Sequence, residues 1–573
     1  MFLHCKFFHY GDLTSCKRLG NLARVKEVIL AAHRYSIVGG QSSMTQSSDN
    51  GWQSMKMRVG AEILKNLSSG IYSNPGNTIK ELINNSYDAD ATDVTVRARP
   101  EFDTISITDN GFGMNEEEFK NNFTIVSRSR KRDAGLLTPN LHRPIIGKIG
   151  IGFISALQIC DEATFVSKKA GEILKLEANV DFGKFKGVMA KKADFQDISD
   201  VRYRVVAEDR DAHYTMVIMT KLTRNFKELL LDKDLKGIDI INFDGLTFEQ
   251  VMDQIDRKIE SKELEDFGKE KGLKAIGQYW QMLLQIANAV PVPYLRDGPV
   301  KKPDNYPVIR HLRKEIDSLG FDVDFDGIHL KKPLRFPNVS EISKKRRDYD
   351  VYPFTKKCKF EDKSVLRFHG YLFNQRKSIL PTQFRGIVIR IKHVAIGGFF
   401  PDFLDYPYSE KLYLPWTSGE IEVEEGLEDA MNINRNTFDI THPHYRELRI
   451  YLHALLHTKV FVKARERYDR RKEERKKLEE EEREQRMKDL TLRRFGHLFR
   501  VFYSEELDPQ NAIDIQVNNR KLIIYRHHAI FRRNKQRRGM VEEILLLFET
   551  AFRLGSRDAR KLRQIFYEEL ERW

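Results

Sequence analysis

Between residues 55 and about 224 the hydrophobic positions switch repeatedly between two periods. "AEILKNLSSGIY" and "TIKELINNSYDA" space apolar residues three and four apart, which predicts helices. "DVTVRAR", "DTISITD" and "TMVIMTKLT" alternate instead, which predicts strands. Residues 225–275 are rich in charge and read as helical connections. From about 276 to 450 a second mixed region follows, with "WQMLLQIANAV" as a helix and "GIVIRIKHVAIG" as a β-branched strand. Residues 463–489 carry opposite charges three and four apart with almost no apolar stripe. They predict a solvated single helix acting as a spacer, with a coiled-coil seam as the alternative. "VEEILLLFETAFRL" is amphipathic again and predicts a small α-rich terminal module. The pattern divides the chain into a leader (1–50), a first mixed α+β domain (51–275), a second mixed domain (276–455), a charged helix (456–490) and a C-terminal module (491–573).

At 573 residues the chain exceeds what one core organises, so several domains are expected. Hydrophobic residues at 41% and charged residues at 31% fit an ordinary soluble protein, and the sequence offers no long uncharged apolar run for a membrane span. The first fifty residues break their apolar run with charge and glycine, unlike a signal peptide. They read as a disordered leader or as sequence upstream of a start at Met44 or Met55. Cys5, Cys16, Cys160 and Cys358 lie far apart without a CxxC pair, which argues against a zinc site and a disulfide framework and fits a reducing cytoplasm. A net charge of +14 is compatible with an acidic polymer as partner.

Three polar clusters carry candidate chemistry. In residues 77–93 Ile79, Leu82, Ile83 and Ser86 form a core stripe, and Glu81, Asn85 and Asp88 lie on the neighbouring stripe, facing either solvent or a pocket. "DTISITDNGFGM" delivers Asp109 at a strand end into a turn with Gly111 and Gly113. A carboxylate there can accept from an exocyclic amine while the glycines let backbone approach a flat ring; a simple turn is the other reading. "GKIGIGF" contains Gly147, Lys148, Gly150, Gly152 and Phe153 before a helical pattern, and serves either an anion at backbone N–H groups or tight helix packing. It lacks the P-loop pattern.

In this order the clusters resemble the GHKL superfamily of ATPases, which includes gyrase B, Hsp90, MutL and histidine kinases. The motifs are ExxxNxxDA (Glu81, Asn85, Asp88, Ala89), DxGxGM (Asp109, Gly111, Gly113, Met114) and GxxGxGF (Gly147, Gly150, Gly152, Phe153). Thr215 stands where Hsp90 has a Gly-Thr strand, with Tyr214 in place of the glycine. The resemblance implies a Bergerat-type two-layer α/β sandwich, ATP as substrate and Mg2+ as its companion. It gives Glu81 the attacking water, Asn85 the magnesium, Asp109 the adenine amine, Thr215 a water-mediated contact and Met114 the ring, with Asp88 as a supporting pocket residue. The polar stretch between the second and third clusters takes the place of the ATP lid, where residues 127–132 and Lys148 serve either to reach phosphates or as solvent-exposed charges of a loop.

"MNINRNTF" resembles the Hsp90 middle-domain segment that supplies an asparagine and an arginine, here Asn432 and Arg435, the latter reaching the terminal phosphate. The closest likeness is to divergent bacterial Hsp90-like proteins, and it implies a nucleotide-dependent homodimer acting on a protein client or a nucleic acid, in the cytoplasm and away from membranes. The basic "YRHHAIFRRNKQRR" at 525–538 either grips phosphates or forms a surface turn. An Hsp90-like ATPase, a nucleic-acid clamp resembling MutL or MORC proteins, and a non-hydrolysing nucleotide-binding scaffold are the competing functions. A histidine kinase and a topoisomerase are disfavoured, the first for want of a phospho-acceptor helix and the second of a cleavage domain.

Overall fold

The computed structural model describes residues 53–59, 75–124, 137–147, 152–183, 196–233, 245–260, 276–337, 349–375, 378–432, 435–495, 499–507, 512–516, 518–533 and short stretches within 539–548. The expected leader, residues 127–132, Lys148, Gly150 and residues 534–538 lie outside these. Residues 1–464 and 465–573 form two compact units.

Strands β1 (Gln53–Val59), β2 (Asp93–Arg99), β3 (Thr104–Asp109), β4 (Cys160–Lys168), β5 (Leu174–Asp181), β6 (Gln196–Ala207), β7 (Tyr214–Leu222), β8 (Asp322–Phe325) and β9 (Ile328–His329) form one sheet in the order β1-β6-β5-β4-β7-β3-β2-β8-β9. Its neighbours are antiparallel except β2 and β8, which run parallel. The alternation read from the sequence is the reason one face is apolar: Val94, Val96 and Ala98 of β2 and Ile105 and Ile107 of β3 are buried, with half-buried or exposed residues between them.

Helices α1 (Pro75–Asp88), α2 (Glu116–Thr124), α3 (Arg224–Leu231), α4 (Phe248–Glu260) and α5 (Gln278–Ala289) contribute to the same core. Ile79, Leu82, Ile83 and Tyr87 of α1 and Trp280, Leu283 and Ile286 of α5 pack with the strand residues. The result is the two-layer α+β sandwich that the resemblance implied. Residues 278–329, which composition groups with the second region, complete this first sheet and core. Arg97 of β2 holds Asp324 of β8 through two hydrogen bonds of 2.8 and 2.5 Å, and Asp326 accepts from Ala98 N and Tyr279 Oη.

Helix α6 (Pro307–Ser318) leads to a second sheet of β10 (Tyr349–Lys359), β11 (Val365–Gln375), β12 (Gly386–Ile391), β13 (Val394–Ala395) and β14 (Thr417–Glu425), ordered β10-β11-β14-β12-β13. Every residue of β12 is buried, including Arg390. Its guanidinium donates to Glu420 Oε1 at 2.7 and 2.9 Å and to the Asn288 side chain at 2.9 Å, while Tyr294 and Tyr371 donate to the other Glu420 oxygen. A buried charge is tolerable when its partners are this complete. Helix α7 (Pro443–Leu455) precedes α8 (Phe461–Phe495), whose exposed charges match the solvated helix expected there.

The second unit holds β15 (Arg500–Ser504), β16 (Ile513–Gln516) and β17 (Lys521–Tyr525), ordered β15-β17-β16 around Phe499, Ile513, Ile515, Leu522 and Ile524. The sequence pattern anticipated an α-rich module here. Strands of four or five residues are too short for alternation to stand out, so this sheet was not legible. No helix among the described residues is long and apolar enough to cross a membrane.

Candidate functional site

Helix α1 opens at Pro75, whose fixed φ and missing N–H suit a first helical position. Of the polar stripe, Glu81 and Asp88 are buried and Asn85 between them is exposed. Asp88 accepts from Ile146 N at 2.7 Å and Gly147 N at 2.8 Å, which fixes the start of the third glycine cluster against the helix. Glu81 lies 3.3 Å from Arg435 Nη1 and 3.6 Å from Lys80 Nζ. Burial lowers the pKa of the Lys80 ammonium, and the adjacent Glu81 carboxylate opposes that shift.

Arg435 approaches from the loop after β14. It sits at φ 52°, a left-handed conformation costing about 1 kcal/mol or more for a residue with a Cβ. Two backbone hydrogen bonds hold it there: Arg435 N donates to Asn432 O at 2.9 Å, and Gly397 N donates to Arg435 O at 3.0 Å. Gly397 is itself at φ 71°, and a Cβ on it would stand 2.4 Å from Asn436 O, so this close packing requires glycine. Arg435 Nη2 also donates to Ile146 O, and Lys392 Nζ donates to Ile145 O at 3.0 Å. Residues 145–147 are thus held by α1 on one side and by two cations from the second sheet region on the other.

Beside the last turn of α1, Asp109 finishes β3. It accepts from Ser86 Oγ at 2.7 Å and Gly111 N at 2.9 Å, and burial pushes its carboxyl pKa up against the pull of these bonds. The β3–β7 register sets Thr215 directly opposite Asp109. Ser167 of β4 bridges the two sides: its Oγ accepts from Met114 N at 2.9 Å and lies 3.0 Å from Thr215 Oγ1. Gly113, at φ 68°, passes so close to β4 that a Cβ would fall 2.0 Å from Lys168 O. The turn is clamped to α1 as well, because Phe112 N donates to Ala89 O at 2.9 Å.

The structure therefore brings Glu81, Asn85, Asp88, Asp109, Gly111, Gly113, Met114, Gly147, Thr215 and Arg435 to one region of the first unit. Gly152 and Phe153 open a 3₁₀ helix, Gly152–Gln158, where the pattern had suggested an ordinary helix. The Asn432 amide turns into its own loop and donates to Thr437 Oγ1 at 2.7 Å. Ser86, Ser167, Lys80 and Lys392 were not singled out as site residues from sequence. A hydroxyl on the core stripe was a usable signal for Ser86, since buried polar groups require partners. Nothing local marked the others. The arrangement offers a buried acceptor carboxylate beside glycine backbone at one end, and a carboxylate with a guanidinium at the other, with an exposed amide near the second.

This fold and this constellation define a GHKL-type nucleotide-binding domain. Residues 72–215 match the family model described as histidine kinase-, DNA gyrase B- and HSP90-like ATPase, and that region belongs to this family. The chaperone protein HtpG of Polaromonas naphthalenivorans is 33% identical over 132 residues, 19% of this chain and 21% of that protein. HtpG of Vesicomyosocius okutanii is 26% identical over 207 residues, 30% of this chain and 34% of that protein. A putative type II restriction enzyme, HgiDII of Herpetosiphon aurantiacus, is 32% identical over 124 residues, 22% of this chain and 19% of that protein. The matches span between about a fifth and a third of these relatives' lengths. The family and these relatives support ATP binding.

Proposed function

We propose that the chain binds Mg·ATP and hydrolyses it, that the segment between the second and third motifs closes over the nucleotide, that two copies associate in that state, and that the cycle acts on a macromolecular partner. The observation that carries this reading is Arg435 against Glu81, two residues 354 positions apart whose charged groups lie 3.3 Å apart. Phosphoryl transfer needs an aligned water and charge compensation more than covalent chemistry. In this reading Glu81 orients or deprotonates the water, and Arg435 exchanges its ion pair for the terminal phosphate. Asn85 fits the metal: its exposed amide oxygen is a hard ligand, and magnesium in nucleotide sites takes few protein ligands beside phosphates and water. Bound Mg2+ supplies neutralisation of phosphate charge.

Asp109 receives the adenine amine, with Thr215 assisting through water and Met114 against the ring. The Asp109→Asn variant keeps one acceptor oxygen and turns the other into an NH2 donor, where both oxygens already accept, from Ser86 Oγ and Gly111 N, and the amine needs a further acceptor. It is expected to weaken ATP binding by about 1.5–3 kcal/mol, roughly 10- to 150-fold in Kd by calorimetry. Unchanged affinity would remove Asp109 from the base pocket.

The coupling follows from residues 145–147. A nucleotide that draws on the Gly147 N–H competes with its bond to Asp88, and one that draws on Arg435 competes with its bond to Ile146 O; it shifts the balance only if it binds one arrangement more tightly. The test is phosphate release by the purified chain with Mg2+ or with EDTA. Magnesium-dependent turnover supports the reading, and ATP binding without turnover leaves a nucleotide-binding scaffold. A second reading, a DNA-directed ATPase, is favoured by the restriction-enzyme relative together with the +14 charge. It requires duplex DNA to stimulate turnover and salt to abolish that stimulation.

A further inference from the structure

One cluster outside the nucleotide site joins α6 to the second sheet. His311 and Glu315 lie one turn apart on α6, and His369 of β11 faces them. His311 Nε2 is 3.3 Å from Glu315 Oε1, and His369 Nε2 is 3.2 Å from Glu315 Oε2. One donor atom from each of the three lies within 4.8 Å of the other two. Tetrahedral zinc with ligand bonds of about 2.0–2.1 Å sets neighbouring ligand atoms about 3.3 Å apart. Each imidazole nitrogen stands about that far from the Glu315 carboxylate, each from a different one of its two oxygens.

The far nitrogen of His369 is also provided for. His369 Nδ1 lies 2.8 Å from Glu424 Oε1 on β14, and Arg367 lies 3.6 Å from the other Glu424 oxygen. Metal-bound histidines characteristically donate their second N–H to such a carboxylate, which fixes tautomer and ring orientation. His369 is buried, whereas His311 is exposed and Glu315 half-buried, so the cluster has a solvent-facing rim through which an ion and a water ligand can enter.

We propose that His311, Glu315 and His369 bind a zinc ion, with Glu424 orienting His369. Two imidazoles and one carboxylate suit zinc, whereas magnesium and calcium prefer all-oxygen sets. The cysteine spacing argued against zinc, but this site uses no cysteine. The ion pins α6 to β11 through side chains that already meet as an imidazole between two carboxylates and as two tilted imidazole rings 5.4 Å apart. Because the three ligands converge only in the fold, zinc stabilises the folded chain.

The experiment uses the full, untagged chain after chelator treatment, titrated with Zn2+ by calorimetry and with Co2+ by visible absorption. The expected result is one equivalent of zinc, a tetrahedral cobalt spectrum and a rise in Tm on adding zinc. His311→Ala changes an exposed helix position and is expected to keep its circular dichroism while losing the Tm rise and the cobalt band. Glu424→Gln is expected to weaken zinc binding about 10- to 100-fold. If wild type takes up no stoichiometric zinc, or if His311→Ala binds it as wild type does, the cluster is an ion-paired histidine and the proposal is overturned. Neither readout depends on ATP.

Discussion

Glu81→Gln is expected to leave ATP affinity nearly unchanged while lowering the turnover number roughly 10²- to 10⁴-fold, the usual contribution of a positioned general base. Glutamine keeps the shape and one acceptor oxygen, so nucleotide contacts elsewhere in the pocket persist. What it loses is the charge that aligns and accepts from water. It also deprives Lys80, 3.6 Å away, and Arg435, 3.3 Å away, of their buried counter-ion. Breaking a buried pair on one side is costly, so a lowered Tm is expected alongside the lost activity. The measurement is single-turnover phosphate release at saturating ATP, with affinity measured separately on the same preparation. Wild-type turnover in a folded Glu81→Gln protein would sink the assignment of Glu81.

Arg435→Ala is the second large effect. An arginine that meets a transferring phosphoryl group is worth about 10³- to 10⁵-fold in turnover. The expected signature is a fall in kcat with little change in KM, because the contact strengthens as charge develops rather than when ATP first binds. Arg435→Lys should not restore the rate, since an ammonium lacks the planar fork that can span two oxygens. Alanine occupies the same left-handed φ of 52° at similar cost, so the loop itself is retained. A matching KM increase with unchanged kcat would instead make Arg435 a binding residue. Combining Arg435→Ala with Glu81→Gln should cost less than the sum of the two, as expected for groups in contact.

Much of the site was legible in the chain. The three-and-four spacing of Ile79, Leu82 and Ile83 fixed which side of α1 packs, and so which neighbouring stripe carries Glu81, Asn85 and Asp88. The alternation ending at Asp109 placed a carboxylate at a strand end, and the glycines after it announced a backbone that must pass close to another. Gly113, whose Cβ would collide with Lys168 O, shows why. Such features are local because helix and strand periods are properties of consecutive residues.

Other parts depended on contacts that spacing does not encode. Thr215 stands beside Asp109 because the β3–β7 register puts it there, and Ser167 bridges Met114 and Thr215 only once β4 pairs with β7. Residues 278–329 join the first sheet because β8 pairs with β2 across more than two hundred positions, a choice made by packing rather than by composition. His311, Glu315 and His369 meet only when α6 lies on β11. Arg435 could be named from its motif, but its distance from Glu81 could not. The sequence by itself determined the helix and strand periods around the three motifs and the faces those elements bury. The tertiary structure decided which side chains complete the candidate site and which cations from the second sheet region close on residues 145–147, because long-range strand register and helix docking are settled by burial of the whole core.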